Sequence, residues 1–223
     1  MTTKKEVLIV GATGMVGGHV LEYCLKSDQI DKVTVLSRRS LGVAHEKLEE
    51  IIHGDFSTYQ SVDHHFENID MGLFCIGVYT GAVKDKELKA VTVDYAKSFA
   101  QTLKERSPGS KLCFLSGQGS DRTEKSRVPF AKYKGMAENF IDGLNFTEWY
   151  SFRPGYIYPV IPRKEPNWMY KLSRNLYPLV KKMGKNMSIP STDLAKVMVD
   201  VGLNGYSKSI LENRDMRELV ANS

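Results

Sequence analysis

The chain has 223 residues and a formal net charge of +5 at pH 7, and 42% of its residues are hydrophobic. This size and composition are typical of a globular protein with a full core, so we expect residues 1–223 to form a single domain. No apolar run approaches the roughly 20 residues that cross a bilayer, and no signal peptide is evident, so we expect no membrane span and a cytoplasmic location.

The first predicted elements are a buried strand at Val7–Val10 and a helix at Met15–Lys26, joined by a glycine-rich turn. Gly11 allows the tight turn, Gly14 lets the backbone approach phosphates, and Gly17 lets the helix sit close to the strand. The helix N-terminus presents free amide groups to an anion. The pattern therefore predicts a nucleotide pyrophosphate site, although its GxxGxxG spacing differs from the commoner GxGxxG. The alternative is a tight turn that binds nothing.

The second predicted strand, Lys32–Leu36, runs into Ser37, Arg38 and Arg39. In dinucleotide-binding folds an acidic residue at this strand end accepts hydrogen bonds from the ribose hydroxyls and favours NAD. Here a serine and two arginines occupy it, and an arginine can pair with a 2′-phosphate. The sequence therefore favours NADP over NAD. The alternative is two solvated arginines at the start of a loop.

The next two predicted strands also end at candidate nucleotide contacts. A strand at Leu48–Ile52 is followed by Asp55, which could accept a hydrogen bond from the adenine amino group or cap the short helix that follows. A strand at Met71–Ile76 is followed by Gly77, which would let the chain pass close to the cofactor ribose. The two roles of Asp55 are compatible, and the sequence leaves both open.

A long helix at Lys84–Arg106 and a strand at Lys111–Leu115 come next. Short apolar strands that alternate with helices indicate an α/β fold with a doubly wound parallel sheet. Ser116 directly follows the strand. In open α/β sheets ligands bind beyond the carboxyl ends of the strands, so Ser116 is placed to touch a substrate. The alternative is a serine that only caps a loop turn.

The stretch Pro159–Met187 differs from the rest in its prolines, its basic residues and Trp168. We interpret about 156–190 as a lid that shapes the substrate pocket, rather than as a nucleic-acid site. The remaining predicted elements are a helix at 129–143, a strand at 146–152, a helix at 193–203, and a short strand or turn with a helix at 208–220.

Cys24, Cys75 and Cys113 lie in apolar surroundings without metal-ligand spacing. Core packing is the better interpretation for them, and we expect no metal site. The adjacent His64 and His65 lie in a polar stretch that is more typical of a solvated helix end than of a ligand pair.

A set of short motifs, in this order and spacing, resembles the atypical short-chain dehydrogenase/reductase superfamily and, within it, the Tat-interacting-protein branch. The motifs are GATGMVGG (11–18), SRR (37–39), GDF (54–56), CIG (75–77), VDY (93–95), LSGQGSD (115–121), KG-x-x-E (134–138) and FRPGYIYP (152–159). The resemblance covers nearly the whole chain. It implies a Rossmann domain that binds NADP (NADPH), with a small C-terminal substrate or lid region.

The resemblance also implies roles for individual residues. Arg38 would face the 2′-phosphate, Asp55 and Phe56 would flank the adenine, and Lys134 would bind the nicotinamide ribose hydroxyls. The full set of candidate cofactor-binding residues is Gly11, Thr13, Gly14, Met15, Val16, Gly17, Ser37, Arg38, Arg39, Asp55, Phe56, Cys75, Ile76, Gly77, Ser116, Lys134, Pro154, Gly155 and Tyr156. Arg153-Pro154-Gly155 would pass beside the nicotinamide.

In the superfamily that this chain resembles, a tyrosine protonates the substrate carbonyl, a lysine four residues later lowers the pKa of that tyrosine, and a serine orients the substrate. Ser116 and Lys134 match two of these positions, but the residue four before Lys134 is Phe130, which has no proton to give. Tyr133 is the third catalytic candidate, although it should project from a different side of the helix. Other candidate proton donors in loops are Tyr79, Tyr156 and Tyr158.

Two functions follow as hypotheses. The first is an NADPH-dependent oxidoreductase that acts on a small carbonyl-type substrate. The second is a non-catalytic NADP(H)-binding redox sensor or regulator, which is suggested by Phe130 at the position of the expected tyrosine. Nucleic-acid binding through the basic region Arg163–Lys185 is a weaker third hypothesis, and we expect neither a nucleic-acid nor a membrane partner. Helices at 84–106 and 129–143 pair subunits in many proteins of this fold, so a homodimer is a candidate assembly.

Overall fold

The structure is a computed structural model that describes residues 4–78, 81–161 and 186–222. In this part of the chain a seven-stranded sheet has the order β3-β2-β1-β4-β5-β6-β9, and every neighbouring pair is parallel. Its strands are β1 (Lys5–Val10), β2 (Ile30–Ser37), β3 (Leu48–Ile52), β4 (Met71–Phe74), β5 (Lys111–Leu115), β6 (Trp149–Arg153) and β9 (Ile210–Glu212). The predicted doubly wound parallel sheet is confirmed.

Helices cover both faces of this sheet. They are α1 (Met15–Lys26), α2 (Asp85–Lys89), α3 (Tyr95–Arg106), α4 (Pro129–Gly143), α5 (Ser191–Asn204) and α6 (Asn213–Asn222), with a 3-10 turn at Asp63–Phe66. One core cluster lies between the sheet and α1, α5 and α6, and the other lies between the sheet and α3 and α4. A sheet that is buried on both faces favours apolar residues at most positions of its central strands.

Strand β1 shows how the sequence produces this arrangement. Val7 and Ile9 point into the first core cluster, while Leu8 and Val10 point into the second. Side chains alternate between the two faces of a strand, so a continuous apolar run is what a central strand with helices on both sides needs. All four side chains are fully buried.

Several element boundaries differ from the sequence predictions, and three of the differences have a structural reason. The helix expected at 84–106 is α2 and α3 joined by a π-helical turn at Ala90–Asp94. The strand expected at 146–152 begins at Trp149, because the chain leaves α4 through Asn145 in a left-handed conformation (φ 52°) and pairs with β5 only from Trp149 onward. The fourth strand ends at Phe74 rather than at Ile76, because only Met71–Phe74 pairs with its neighbours.

A second, two-stranded parallel sheet was not predicted. It pairs β7 (Tyr156–Tyr158) with β8 (Ser188–Pro190). Two strands this short carry no periodic signal in the sequence, and their pairing joins segments that are about thirty residues apart in the chain. Most of the predicted lid, residues 162–185, lies outside the described residues.

Candidate functional site

The carboxyl ends of the central strands border a cleft of about 250 Å³. Among its lining residues, those predicted to bind the cofactor are Gly14, Met15, Val16, Cys75, Ile76, Gly77, Ser116 and Lys134. The others are Val78, Thr92, Leu115, Phe130 and Ile157. The structure therefore brings together the segments that follow β1, β4 and β5 and one side of α4. This is the edge at which open α/β sheets bind ligands.

The glycine turn after β1 is shaped by close backbone contacts. Gly11 has a φ of +86°, and a Cβ atom there would lie 2.6 Å from the carbonyl carbon of Cys75. A Cβ atom on Gly17 would lie 2.1 Å from the carbonyl oxygen of Gly11. Glycine is therefore required at both positions, because any side chain would push α1 or the segment after β4 away from β1.

The start of α1 is open to an anion. Its N-cap residue, Gly14, offers no side-chain hydrogen bond to the helix, and the first turn contains no acidic residue. The first amides of an α-helix have no partner within the helix, and the positive end of the helix dipole lies there. Met15 and Val16 of this turn line the cleft, whereas Thr13 is exposed and lines a neighbouring cavity. These features fit a bound pyrophosphate.

Two exposed arginines follow β2. Arg38 and Arg39 lie on the surface, and neither guanidinium has an ion-pair partner among the described residues. Ser37 is buried and donates its hydroxyl hydrogen to the carbonyl oxygen of Arg39 at 2.6 Å. Ser37 thus shapes the loop, while the two cationic groups are available to an anionic ligand.

Glu50 on β3 holds this loop and was missed by sequence reasoning. Its carboxylate accepts a hydrogen bond from the amide of Leu41 at 2.6 Å and another from the hydroxyl of Ser40 at 2.9 Å. The Ser37 hydroxyl oxygen also lies 3.5 Å from an oxygen of this carboxylate. An acidic residue therefore does lie beside the end of β2, but it comes from the neighbouring strand. The parallel pairing of β2 with β3 could have indicated it.

Asp55 and Phe56 follow β3. Asp55 is exposed, and its carboxylate accepts hydrogen bonds from the hydroxyl of Ser57 at 2.6 Å and the amide of Ser57 at 2.9 Å. These bonds hold the pKa of Asp55 below its usual value. The ring of Phe56 is buried and packs near Tyr59 and Tyr95. Asp55 thus caps a turn, and Phe56 anchors this turn in the core.

Lys134 and Phe130 both line the cleft, one helical turn apart on α4. Lys134 is buried, and its ammonium donates a hydrogen bond to the carbonyl oxygen of Leu115 at 2.7 Å and lies 4.7 Å from the ring centre of Phe114. Burial lowers the pKa of Lys134 to about 8. The Phe130 ring packs on Gly117, where a Cβ atom would lie 2.5 Å from Cζ. A ring without a hydroxyl therefore stands one turn before the lysine.

The structure does not bring Tyr133 into the cleft. Its hydroxyl donates a hydrogen bond to the carboxylate of Asp85 on α2 at 2.8 Å. Adjacent helical residues point about 100° apart, so Tyr133 cannot share the face of Lys134. Ile157 lines the cleft, and Tyr156 and Tyr158 are its neighbours on β7. Side chains alternate along a strand, so both tyrosines point to the face of β7 that is turned away from the cleft. Tyr79 lies outside the described residues.

Ser116 is hydrogen-bonded to a buried carboxylate, Glu138, which ends the KG-x-x-E motif but was given no role from the sequence. The two oxygen atoms are 2.6 Å apart, and Glu138 also accepts hydrogen bonds from the hydroxyl of Ser151 at 2.7 Å and from Nε of Arg153 at 3.0 Å. Burial alone would raise the pKa of Glu138, but the hydrogen bonds from Arg153, Ser116 and Ser151 outweigh burial and hold it below its usual value. A glutamate one turn after the cleft lysine was the available sequence signal.

The loop after β6 carries Pro154, Gly155 and Tyr156, and none of the three lines the cleft. The Gly155 amide donates to the side-chain oxygen of Asn213 at 2.9 Å, and the Tyr156 amide donates to the carbonyl oxygen of Met187 at 2.9 Å. A Cβ atom on Gly155 would lie 2.5 Å from that same carbonyl oxygen. The loop is therefore fixed by α6 and by the segment before β8, and it carries Ile157 to the cleft.

Cys24, Cys75 and Cys113 are buried and unpaired, which confirms the predicted packing role. Burial raises the pKa of the Cys75 thiol to about 12, so it stays protonated although it lines the cleft. Within residues 4–78, 81–161 and 186–222, no group of three His, Cys, Asp or Glu residues is arranged to hold a metal ion.

Comparisons with known proteins agree with this geometry. A family model described as NAD(P)H-binding matches residues 11–204. Protein HTATIP2 of Rattus norvegicus is 25% identical over 226 residues, covering 98% of this chain and 90% of the relative. "Protein FMP52, mitochondrial" of Candida albicans is 27% identical over 236 residues, covering 98% of this chain and 99% of the relative. The predicted likeness to the Tat-interacting-protein branch is confirmed.

A solved structure shares the fold. The enzyme WbmH of Bordetella bronchiseptica, solved in complex with NAD+, superposes with a TM-score of 0.68 at 13% identity and covers 98% of this chain and 80% of its own. At this identity the likeness concerns the fold alone. In the described part of the chain, no helix has both the length and the apolar composition that crossing a membrane requires.

Proposed function

The chain belongs to the NAD(P)H-binding family, and from this premise we propose that it is an NADPH-dependent oxidoreductase acting on a small carbonyl-type substrate. The observation that carries the proposal is the cleft itself. There the open start of α1 lies beside a buried, cationic Lys134 and the hydroxyl of Ser116. An anion-binding helix end next to a buried cation suits a nucleotide whose reactive ring enters the cleft.

We assign each group of proposed cofactor residues to one part of the dinucleotide. The amides of Met15–Gly17 and the turn from Gly11 to Gly14 hold the pyrophosphate. Arg38 and Arg39 bind the 2′-phosphate on a loop shaped by Ser37. The remaining proposed contacts are Asp55 and Phe56 for the adenine, Cys75–Gly77 for the adjoining ribose, and Pro154–Tyr156 beside the nicotinamide. When bound, the reduced nicotinamide supplies a hydride.

Lys134 is suited to bind ribose hydroxyls. An ammonium group has three N–H donors, and one of them is used by the carbonyl oxygen of Leu115. The other two are available to a ligand in the cleft. With its pKa lowered to about 8 by burial, Lys134 still carries its charge at neutral pH.

A second candidate function is a redox sensor that binds NADP(H) with little turnover. This second function is favoured by Phe130, because its ring occupies the position from which a tyrosine would supply a proton. Loss of a general acid typically costs about 10²–10⁴-fold in rate. Loss of NADPH absorbance in the presence of a panel of aldehydes and ketones distinguishes the two functions. A sensor binds NADPH but does not oxidise it with any aldehyde or ketone of the panel.

We predict that Arg38→Ala weakens NADPH binding by about 10- to 100-fold, because a charge-assisted hydrogen bond to the 2′-phosphate is lost. NADH binding should change by less than about twofold, since NADH carries no 2′-phosphate. The measurement is a fluorescence titration of wild type and variant with both nucleotides. Arg106→Ala, at the far end of α3, is the matched control. An equal loss for both nucleotides would show that Arg38 does not contact the 2′-phosphate.

The remaining proposals concern the surroundings of the site. We propose that residues 156–190 wall the substrate pocket, and Ile157 in the cleft supports this. We also propose a cytoplasmic location. The matching fungal proteins are named mitochondrial, so imaging of a tagged chain should test which of the two locations applies. A homodimer would be recognised by its mass in solution.

A further inference from the structure

We propose that Glu138 fixes Ser116 as a hydrogen-bond acceptor toward the cleft, so that the ligand group seated against Ser116 is a donor such as a hydroxyl. The inference deepens the proposed function, because it assigns the chemical class of substrate that the same cleft takes. It rests on the hydrogen-bond network behind Ser116 and not on the cofactor.

The first step concerns the single proton of the Ser116 hydroxyl. Its oxygen lies 2.6 Å from a carboxylate oxygen of Glu138. An ionised carboxylate has no hydrogen to donate, so two oxygens at this distance require the serine to donate. A hydroxyl has only one hydrogen, and Ser116 therefore has none left for a ligand.

The second step concerns Ser120, whose hydroxyl lies 2.8 Å from that of Ser116 and 2.8 Å from the carbonyl oxygen of Gly117. Ser120 can donate to either of these atoms. In both cases the proton of Ser116 stays with Glu138. Among the described residues, only Ser120 can donate a hydrogen bond to the Ser116 oxygen, which keeps a lone pair for the cleft.

The third step concerns how firmly Glu138 is held. Its side chain is fully buried, and Ser151 and Arg153 both donate hydrogen bonds to the oxygen that Ser116 contacts. Arg153 is itself paired with Glu212 at 3.0 Å. The carboxylate therefore cannot turn away to release Ser116, and the acceptor state is set before any ligand arrives.

The consequence for the ligand is direct. A carbonyl oxygen against Ser116 would face a lone pair, whereas a hydroxyl there can donate. We therefore assign to this cleft substrates that carry a hydroxyl at Ser116, as an alcohol or a hydroxycarbonyl compound does. An isolated ketone or aldehyde fits this position less well.

The test compares two probes that cannot react in NADP+-saturated protein. They are 1-methylcyclohexanol, a tertiary alcohol that cannot be oxidised to a ketone, and cyclohexanone, which NADP+ cannot reduce. Ligand-observed NMR titration gives both affinities, with and without NADP+. Wild type should bind the alcohol about fivefold more tightly than the ketone, as one hydrogen bond gained implies. Ser116→Ala should bring the ratio close to one.

Two variants at Glu138 sharpen this test. Glu138→Gln should keep the preference, because three donors (Ser116, Ser151 and Nε of Arg153) converge on one position and favour the amide oxygen there. The amide nitrogen then replaces the oxygen that accepts from Nη2 of Arg153, so only that hydrogen bond is lost. Glu138→Met combined with Arg153→Met removes the ion pair and frees the Ser116 proton, so the preference should move toward the ketone. A wild-type preference for the ketone, or a ratio unchanged in Ser116→Ala, overturns the inference. Failure of NADP+ to bind contradicts the proposed function instead, and the nucleotide-free titration still decides the role of Ser116.

A separate observation assigns Glu50 as the positioning residue for the arginine loop. Its carboxylate binds the amide of Leu41 and the hydroxyl of Ser40, just after Arg38 and Arg39. We infer that Glu50 holds the loop in the conformation that presents both arginines to the 2′-phosphate of the proposed cofactor. Loop order fixed before binding reduces the entropy that the ligand must offset.

Glu50→Ala should weaken NADPH binding about tenfold, because two hydrogen bonds that order the loop are lost. NADH binding should be nearly unchanged, and the Leu41 amide should exchange its hydrogen faster even without nucleotide. Glu50→Gln should restore most of the NADPH affinity, since its amide oxygen can still accept from Leu41. Glu49→Gln, the neighbouring position on β3, is the control. Tighter NADPH binding in both Glu50 variants would mean that the carboxylate only repels the phosphate, which overturns the inference. Unchanged Leu41 exchange also overturns it, even if NADPH does not bind at all.

Discussion

Replacing Phe130 by tyrosine is expected to raise NADPH-dependent reduction of aldehydes and ketones by about 100-fold or more. The change adds a hydroxyl to a ring that already lines the cleft one helical turn before Lys134. A cation nearby lowers the pKa of a phenol, which lets it protonate the developing alkoxide. NADPH affinity should stay within about twofold of wild type, because the change adds a single hydroxyl and removes no group that is proposed to bind the cofactor.

The control for this variant is Phe140→Tyr, on the same helix but outside the cleft-lining residues. It should leave the rate unchanged. If Phe130→Tyr binds NADPH normally and still gains nothing with any acceptor, position 130 does not serve as the proton-donor site. A wild-type chain that already reduces these acceptors rapidly would support the proposed oxidoreductase, but it would contradict the role given to position 130, because another group would then supply the proton.

Glu138→Ala is expected to lower the free energy of unfolding by about 3–5 kcal/mol. Glu138 is fully buried and takes hydrogen bonds from Arg153, Ser116 and Ser151. Alanine leaves the largely buried guanidinium of Arg153 with Glu212 as its one ion-pair partner in the part of the chain that the structure describes. The cost arises mainly from a buried charge whose main counterion is gone, rather than from lost packing.

Urea unfolding of wild type and variant measures this loss. Glu148→Ala is the matched control, since Glu148 also accepts from a hydroxyl and pairs with a lysine, Lys111, but is about one-third exposed. Solvent screening should limit the control to about 1 kcal/mol or less. A loss of similar size in both variants would show that Glu138 does not anchor the network behind Ser116.

The sequence was sufficient for the central sheet and for the glycine turn after β1. Both follow from local patterns: an apolar run buried on both faces at Val7–Val10, and glycines at positions where any Cβ atom would meet backbone. The departure at Phe130 was found from the family pattern that the chain resembles, in which a tyrosine four residues before the lysine shares one helix face with it. The structure places Phe130 and Lys134 together in the cleft.

What the sequence could not supply are the polar contacts between separate elements. Glu138 bonds to Ser116 across 22 positions, and Glu50 bonds to Leu41 from a neighbouring strand. Polar partners of this kind have no fixed spacing. Phe56 was predicted to flank the adenine, and its ring is buried in the core. Tyr133, offered as a proton donor, binds Asp85 instead.

The measurement that tests the central claim most directly is a fluorescence titration of the purified wild-type chain with NADPH and with NADH. We expect saturable binding of both, with NADPH bound at least about tenfold more tightly because of the charge-assisted contacts to its 2′-phosphate. Binding of neither nucleotide would contradict the claim that the cleft beside α1 and Lys134 is a dinucleotide site. Equal binding of the two would retain the dinucleotide site but contradict the role given to Arg38 and Arg39.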